Sequence, residues 1–377
     1  MSEDRTPQRP DEGTTRGSTL RRALVNAGGT LVFPLFAILI SFLVGAVIVL
    51  ATGNNPLTAY AALVRGAVGS PTAIGLTLLG ATPLIFTGLA VAVAFRAGLF
   101  NIGGEGQLYI GAITAAWLGV SLGFLGPFSI VLVLGACVLT GFLWGAIPGF
   151  LKARFGAHEV ITTIMLNYIG INLAYYFALK PLRTEGLVPG TAAIDIAARI
   201  PFVGLGLGRA NYGFLIALLA AVVAYLLLWR TRRGFQIRAV GLSPGAASYA
   251  GMGIGTNVVL ALAIGGAFAA VGGGVEVLGV YGKMTVPFVT NLGYNGIGVA
   301  LLGRNHPIGV VLGALLFGGL YAGAQEMQFT ADVPLQLANV LLAVILLLVT
   351  ATKLVELVLG KRARALAGTH LDEGLGR

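Results

Sequence analysis

Apolar residues run in long blocks along most of the chain, at 31–51, 73–95, 99–120, 127–150, 160–179, 212–229, 255–279, 293–303, 307–325 and 334–352. A helix needs about 20 predominantly apolar residues to span a bilayer, so most of these blocks predict membrane-crossing helices. The blocks at 99–120 and 293–303 are rich in Gly and Asn, and the second is too short to cross alone. Backbone polar groups cannot face lipid unpaired. These two blocks therefore predict broken helices, packed inside protein or lining a cavity. The expected fold is an all-α polytopic membrane protein of about ten transmembrane helices, with N and C termini cytoplasmic.

The polar stretch 1–30 reads as a disordered cytosolic tail, 31–352 as the transmembrane domain and 353–377 as a cytosolic C-terminal tail. No A-x-A-like site ends the first apolar block, which argues against a cleaved secretory signal. One broken block falls in the first five and another in the last five. An odd number per half gives the halves opposite topology, and paired interruptions point to a path near the midplane. An inverted 5+5 repeat is the expectation.

Composition narrows the class further. Hydrophobic residues make up 56% of the 377 residues and charged residues 10%, against about 25% charged in soluble domains. Mean hydropathy is +0.89. Too few charges are present to cover a water-facing surface, and there is too much apolar area for disorder. The net charge of +10 does not argue for nucleic acid, because the basic residues sit between apolar blocks. Arg96, then Lys152 and Arg154, then Arg230, Arg232, Arg233 and Arg238, then Arg304 and Lys353 alternate with the blocks so as to fall on one side, as the positive-inside bias requires. Arg65, in the 52–72 outer loop, and Arg183, Arg199 and Arg209, in the long outer connection 180–211, are the exceptions. Glycine is 57 of 377 residues, about twice the ordinary share of roughly 7%, which suits helices that approach closely around a pathway.

Several chemistries find no support. No G-x-x-x-x-G-K-[ST] phosphate loop exists, so no ATPase of that kind is expected in this chain. His158-Glu159 is not H-E-x-x-H, since position 162 is threonine. His158, His306 and His370 lack metal-ligand spacing, and the single Cys137 reads as a small buried hydrophobe. Neither a metal nor a cofactor is expected, and no nucleic acid. The carboxylates available for ion relay are Glu105, Glu159, Glu276 and Glu326, and Glu105 alone sits inside a broken block.

The connection after the sixth block reads R-G-F-Q-I-R-A-V-G-L-S-P-G-A-A-S-Y-A-G-M, Arg233 to Met252. Ser243-Pro244 is a helix start, because proline is tolerated in the first turn. Ala246, Ala247, Tyr249 and Ala250 would give a short helix with a small-residue face, over which a partner groove can close, while Arg238 would pair with a partner carboxylate. This stretch resembles the coupling loop of permease subunits of bacterial ABC importers, in the family that handles branched-chain amino acids, simple sugars and nucleosides. Three further motifs carry the resemblance: G-L-F-N-I-G-G-E-G-Q-L-Y-I-G-A from Gly98 to Ala112, H-E-V-I-T-T-I-M-L-N-Y-I from His158 to Ile169, and G-Y-N-G-I-G-V-A-L-L-G-R-N-H-P-I-G from Gly293 to Gly309. The first looks like the nucleoside branch, and the second is similar to the longer of the two permeases in nucleoside importers.

The resemblance implies a transport subunit in the bacterial cytoplasmic (inner) membrane. It implies a substrate-binding lipoprotein outside, a second, shorter permease as heterodimer partner, and a cytosolic ABC ATPase. ATPase coupling would fall to Arg238, Gly241, Ser243, Pro244, Ala246, Ala247, Tyr249, Ala250 and Gly251. For the translocation path the candidates are Asn101, Glu105, Gln107, Asn167, Tyr168, Asn291 and Asn295. Amides can meet ribose hydroxyls and base edges as donors and acceptors, and a tyrosine ring can stack on a base, although helix-to-helix bonding uses the same groups. Arg304, Asn305 and His306, before Pro307, are candidates for an inner gate or a second ATPase contact, with charge anchoring as the plainer role. Glu159 is placed to pair with Lys152 or Arg154. A simple-sugar permease and a stand-alone ion-coupled carrier remain the alternatives.

Overall fold

The computed structural model describes residues 38–204 and 206–350. The tails expected at 1–30 and 353–377, and residues 31–37 and 351–352 of the first and last apolar blocks, lie outside them. The described chain is helical, with three isolated bridges and no strand. Its helices are α1 (Ile38–Ala51), α2 (Pro56–Val68), α3 (Pro71–Arg96), α4 (Gly104–Ser121), α5 (Phe128–Phe155), α6 (Glu159–Leu179), α7 (Gly213–Arg230), α8 (Arg232–Leu242), α9 (Pro244–Tyr249), α10 (Ile254–Glu276), α11 (Leu292–Leu302), α12 (Pro307–Ala331) and α13 (Gln336–Thr350). Six helices are long and apolar enough to cross a membrane: α3, α5, α6, α7, α10 with its continuation to Tyr281, and α12.

One expectation needs correcting. The 52–72 segment is not simply a loop, because it carries α2. Asn55 starts that helix by accepting the Leu57 N–H at 2.9 Å, with Pro56 in the first turn. Asn followed by Pro is the local signature of a helix start.

Burial sorts the helices into an inner and an outer group. About three quarters of the α3 span is buried (78%) and two thirds of α10 (67%), against 22% of α5 and α6. The outer helices turn Phe128, Leu139, Tyr168 and Leu219 outward, as a lipid-facing or subunit-facing surface demands. Helix association in lipid rests on close packing rather than on exclusion of water. Accordingly α10 meets α5 where Gly266 lies against Gly141 and Gly145, and a Cβ on Gly266 would overlap the Gly141 carbonyl. Packing follows an exchange rule: α10 lies on α5 and α4, and α3 lies on α12 and α11, with α3 and α10 crossing at the centre.

The two ends differ. At one end Arg96 and Arg238 gather around Trp229 and Arg96 reaches the Arg304 carbonyl, with Lys152 and Glu159 joined at 2.6 Å across the α5–α6 turn. At the other end α10 runs into a π-turn, Val277–Tyr281, and the 180–211 connection lies over it. The connection supplies N–H groups to the carbonyls there: Ile200 to Leu278 at 3.0 Å, Ile194 to Gly282 at 2.8 Å and Thr191 to Met284 at 2.9 Å. Backbone that leaves the regular helix pattern is thus paired within the protein.

Candidate functional site

The first break follows α3. Gly98, at φ +72°, turns the chain beside Gly241 of α8, and residues 99–103 run on before α4 begins. Asn101 replaces the missing helix bonds. Its Oδ1 accepts the Gly103 N–H at 2.9 Å and its Nδ2 donates to Gln107 Oε1 at 3.3 Å. Asn167, arriving from α6, pairs with the break as a peptide would. Its Nδ2 donates to the Ile102 carbonyl at 2.7 Å and its Oδ1 accepts the Gly106 N–H at 2.7 Å. Thr163 Oγ1 accepts the Ile102 N–H at 3.4 Å, and Tyr294 Oη lies 3.3 Å from Asn167 Nδ2.

The second break precedes α11, and the two breaks meet. Asn291 stands in the left-handed region at φ 69°. Its N–H donates to Glu105 Oε1 at 2.7 Å, and the Gly293 N–H donates to Glu105 Oε2 at 2.6 Å. One carboxylate in the first turn of α4 therefore also caps α11, where the helix dipole and two charge-assisted bonds favour it. A Cβ on Gly293 would overlap the backbone of Glu105, so only glycine permits this approach. Asn295 Nδ2 donates to Tyr321 Oη at 3.1 Å, which reaches Asn339 Oδ1 at 3.2 Å.

The structure thus brings Asn101, Glu105, Gln107, Asn167 and Asn291 into one knot. The first four are at most 2% exposed, and their side chains bond to one another and to broken backbone. Of the two uses open to these amides, helix-to-helix bonding is the one seen. Asn295 lies next to the knot. Tyr168 does not join it: it stands one position round α6 from Asn167 and is 61% exposed. Thr163 and Tyr294 also belong to the knot, although nothing local in the sequence points to their partners.

The second assembly is at the charged end. Thr231 caps α8 by accepting the Gly234 N–H at 3.0 Å. Gly234, Ile237 and Val240 face inward, and Gly241 lies against the backbone of Arg96 to Gly98. Ser243 breaks the helix and caps α9, accepting the Ala246 N–H at 3.3 Å with Pro244 in the first turn. On α9 only Ala247 is buried, while Ser243, Pro244, Ala246, Tyr249, Ala250 and Gly251 are exposed, Tyr249 at 98%. The helix start expected at Ser243-Pro244 is therefore present and projects from the bundle. An open groove of about 500 Å³ lies beside it, bounded by Arg232, Phe235, Arg238 and Met252.

Arg238 differs from its expected posture. Its Nε donates to the Leu228 carbonyl at 3.0 Å, and its guanidinium lies 5.6 Å from the Trp229 ring centroid. Arg96 lies 5.2 Å from the same centroid and donates to the Asn305 and Arg304 carbonyls at 2.9 and 3.2 Å. Trp229 thus anchors two arginines, a role that tryptophan suits best among the aromatics but that its place inside an apolar block concealed. His306 packs 4.9 Å from Trp229 and accepts the Ile308 N–H on Nδ1 at 3.3 Å, capping α12. Burial, and then the nearby Arg96 charge, hold its imidazole below the ordinary histidine pKa. Arg304, Asn305 and His306 therefore form a turn that clamps the end of α3 to the start of α12. Lys152 is the partner of Glu159, one of the two expected. No cluster with metal-binding potential occurs among the described residues.

Known proteins share this arrangement of sequence. The chain is 41% identical over 336 residues to the guanosine ABC transporter permease protein NupP of Bacillus subtilis (strain 168), covering 88% of this chain and 96% of that protein. It is 36% identical over 356 residues to the nucleoside ABC transporter permease protein NupB of Lactococcus lactis subsp. cremoris (strain MG1363), covering 91% and 96%. Identity to the glucose ABC transporter permease protein TsgB13 of Haloferax volcanii is 34% over 329 residues, covering 84% and 87%. Residues 73–350, from α3 to the end of α13, match the family described as branched-chain amino acid transport system / permease component. The chain is therefore a multi-pass membrane protein and belongs to that permease-component family.

Proposed function

We propose that the chain is the transmembrane permease subunit of an ABC importer for nucleosides. It forms the translocation path and hydrolyses no ATP itself. It resides in the bacterial cytoplasmic membrane with about ten crossings, arranged as two five-helix halves of opposite orientation and with both termini in the cytosol. The exchange of packing partners between α3–α4–α5 and α10–α11–α12 supports the repeat, and the basic cluster at one end supports the orientation. A second, shorter permease completes the path, a substrate-binding lipoprotein delivers the solute, and a cytosolic ATPase drives the cycle.

The observation that carries the mechanism is the exposed α8–Ser243–α9 unit at the basic end. Its inner face is locked to α3 through Gly241 and to α7 through Arg238. A push on α9 therefore transmits to α3, and through Arg96 to α12. Nucleosides are preferred as solute because the 41% and 36% identical relatives carry guanosine and nucleoside names. The glucose permease relative at 34% identity favours a simple sugar as the second reading.

Two measurements test this. Cysteines placed at Ala246 or Tyr249 crosslink to the ATPase subunit in the assembled complex, whereas crosslinking confined to the periplasmic partner would overturn the orientation. Labelled guanosine, and not glucose, accumulates in cells that express the complete system in a deletion strain. The reverse preference would establish the sugar reading.

A further inference from the structure

Among the described residues three carboxyl groups are buried: Glu105 at 2% exposed, Glu159 at 9% and Glu276 at 5%. The protein answers two of them. Glu105 receives the Asn291 and Gly293 N–H groups, and Glu159 receives Lys152 Nζ. Glu276 has neither a hydrogen bond nor an ion pair among the described residues. A buried carboxyl without a partner is costly, so folding alone does not explain it. Ionisable side chains within membrane segments mark solute or ion paths far more often than packing.

Position agrees with that reading. The side-chain atoms sealed from solvent without a partner among the described residues are Trp144 Nε1, Asn257 Oδ1 and Asn305 Oδ1. The Glu276 oxygens are not among them, although the residue is only 5% exposed. Glu276 shares a face of α10 with Gly272, whose Cβ would meet Phe86 of α3 at 2.8 Å, and with Gly265, whose Cβ would lie 3.3 Å from Asn101 Nδ2. That face turns to the centre of the bundle, not to lipid. The π-turn Val277–Tyr281 follows immediately, a rare irregularity that recurs at functional sites. Over it lies the strap of the 180–211 connection, bonded through Ile200 and Ile194.

We propose that Glu276 lines the outer part of the translocation path and accepts hydrogen bonds from the hydroxyl and N–H donors of the passing solute. The proposal rests on the nucleoside-importer reading. It assigns solute contact to a residue other than the polar knot, whose amides are already engaged with the protein. Two carboxylate oxygens offer about four acceptor sites, which suits a polyhydroxylated, N–H-bearing solute.

The test uses the complete transporter in proteoliposomes with labelled guanosine. E276L raises the KM for uptake about tenfold, the scale of one lost hydrogen bond, and leaves assembly unchanged. E276D stays within about threefold of wild type, since it keeps the acceptor. E276C in a C137A background reacts with a membrane-impermeant thiol reagent, and guanosine slows that reaction. An unchanged KM in E276L, or a cysteine at 276 that is inert with and without solute, would overturn the proposal. If the intact wild-type complex takes up no guanosine, the nucleoside reading alone falls. Labelling of E276C with glucose as protecting solute then decides the path assignment, and an inert cysteine overturns it.

Discussion

The polar knot at 101–107 and 291–293 and the α8–α9 unit are both departures from simple apolar helices, yet they handle polar groups in opposite ways. In the knot the Asn101, Gln107 and Asn167 amides and the Glu105 carboxylate are bonded inside the protein. At α9 the capping chemistry is local, and the outward side chains, with Tyr249 foremost, are exposed. The knot joins two broken segments that are far apart in sequence. The α8–α9 unit presents an exposed surface, the one proposed for the ATPase. In this protein, then, buried polarity fixes the geometry of the bundle, whereas the side chains at α9 are left exposed.

The comparison breaks first at Glu105. E105L leaves the buried Gly293 N–H and the part-buried Asn291 N–H without an acceptor, the buried one alone costing about 1–3 kcal/mol. A large fall in the thermal midpoint of the detergent-solubilised protein is expected, and E105Q, which keeps one acceptor, falls about half as far. An E105L midpoint equal to wild type would mean that the knot does not hold the bundle. The next effect is at Trp229. W229A removes two cation–π contacts, worth about 0.5–2 kcal/mol each, and lowers the same midpoint by less than E105L while loosening the α3–α8–α12 end.

Y249A should separate the two regions most cleanly. It leaves the thermal midpoint unchanged, because the ring is exposed, and lowers ATP-driven uptake about tenfold, the usual scale of a hot-spot aromatic. A drop in stability without a drop in uptake would reverse the roles assigned to knot and knob. The smallest effect is a pH dependence at His306. Its folded pKa lies below the ordinary value, so between the two values the unfolded chain binds more protons than the folded one. The stability contribution is present above an unfolded pKa of about 6.5 and is lost as pH falls through the folded value. Midpoints measured against pH should show this acid-side slope, and H306Q should flatten it.

How much of this was legible follows from how far each interaction reaches along the chain. The start of α9 could be read from Ser243-Pro244, because a cap and its target lie three residues apart. The broken helices at 99–120 and 293–303 could be read from Gly and Asn in apolar blocks. That Glu105 caps the second break could not, since its partners lie 186 and 188 residues away. Asn167 looked like a path residue because an amide suits solute and broken backbone equally well. Only the position of Ile102 and Gly106 decides between them. The sequence marks the charge of Arg238 but not its ties to the Leu228 carbonyl and the Trp229 ring, which steady it at the edge of the groove beside α9. The start of α2 was overlooked although Asn55-Pro56 carries the same capping signal as Ser243-Pro244.

The central claim is that the force for transport enters through α8–α9 from a separate ATPase. The direct measurement is guanosine accumulation in proteoliposomes holding both permeases and the binding protein, with or without the ATPase and Mg-ATP. The account predicts accumulation only when the ATPase and Mg-ATP are both present, and its loss in Y249A with the complex still assembled. Uphill uptake by the permease chain alone on a proton or sodium gradient would contradict it.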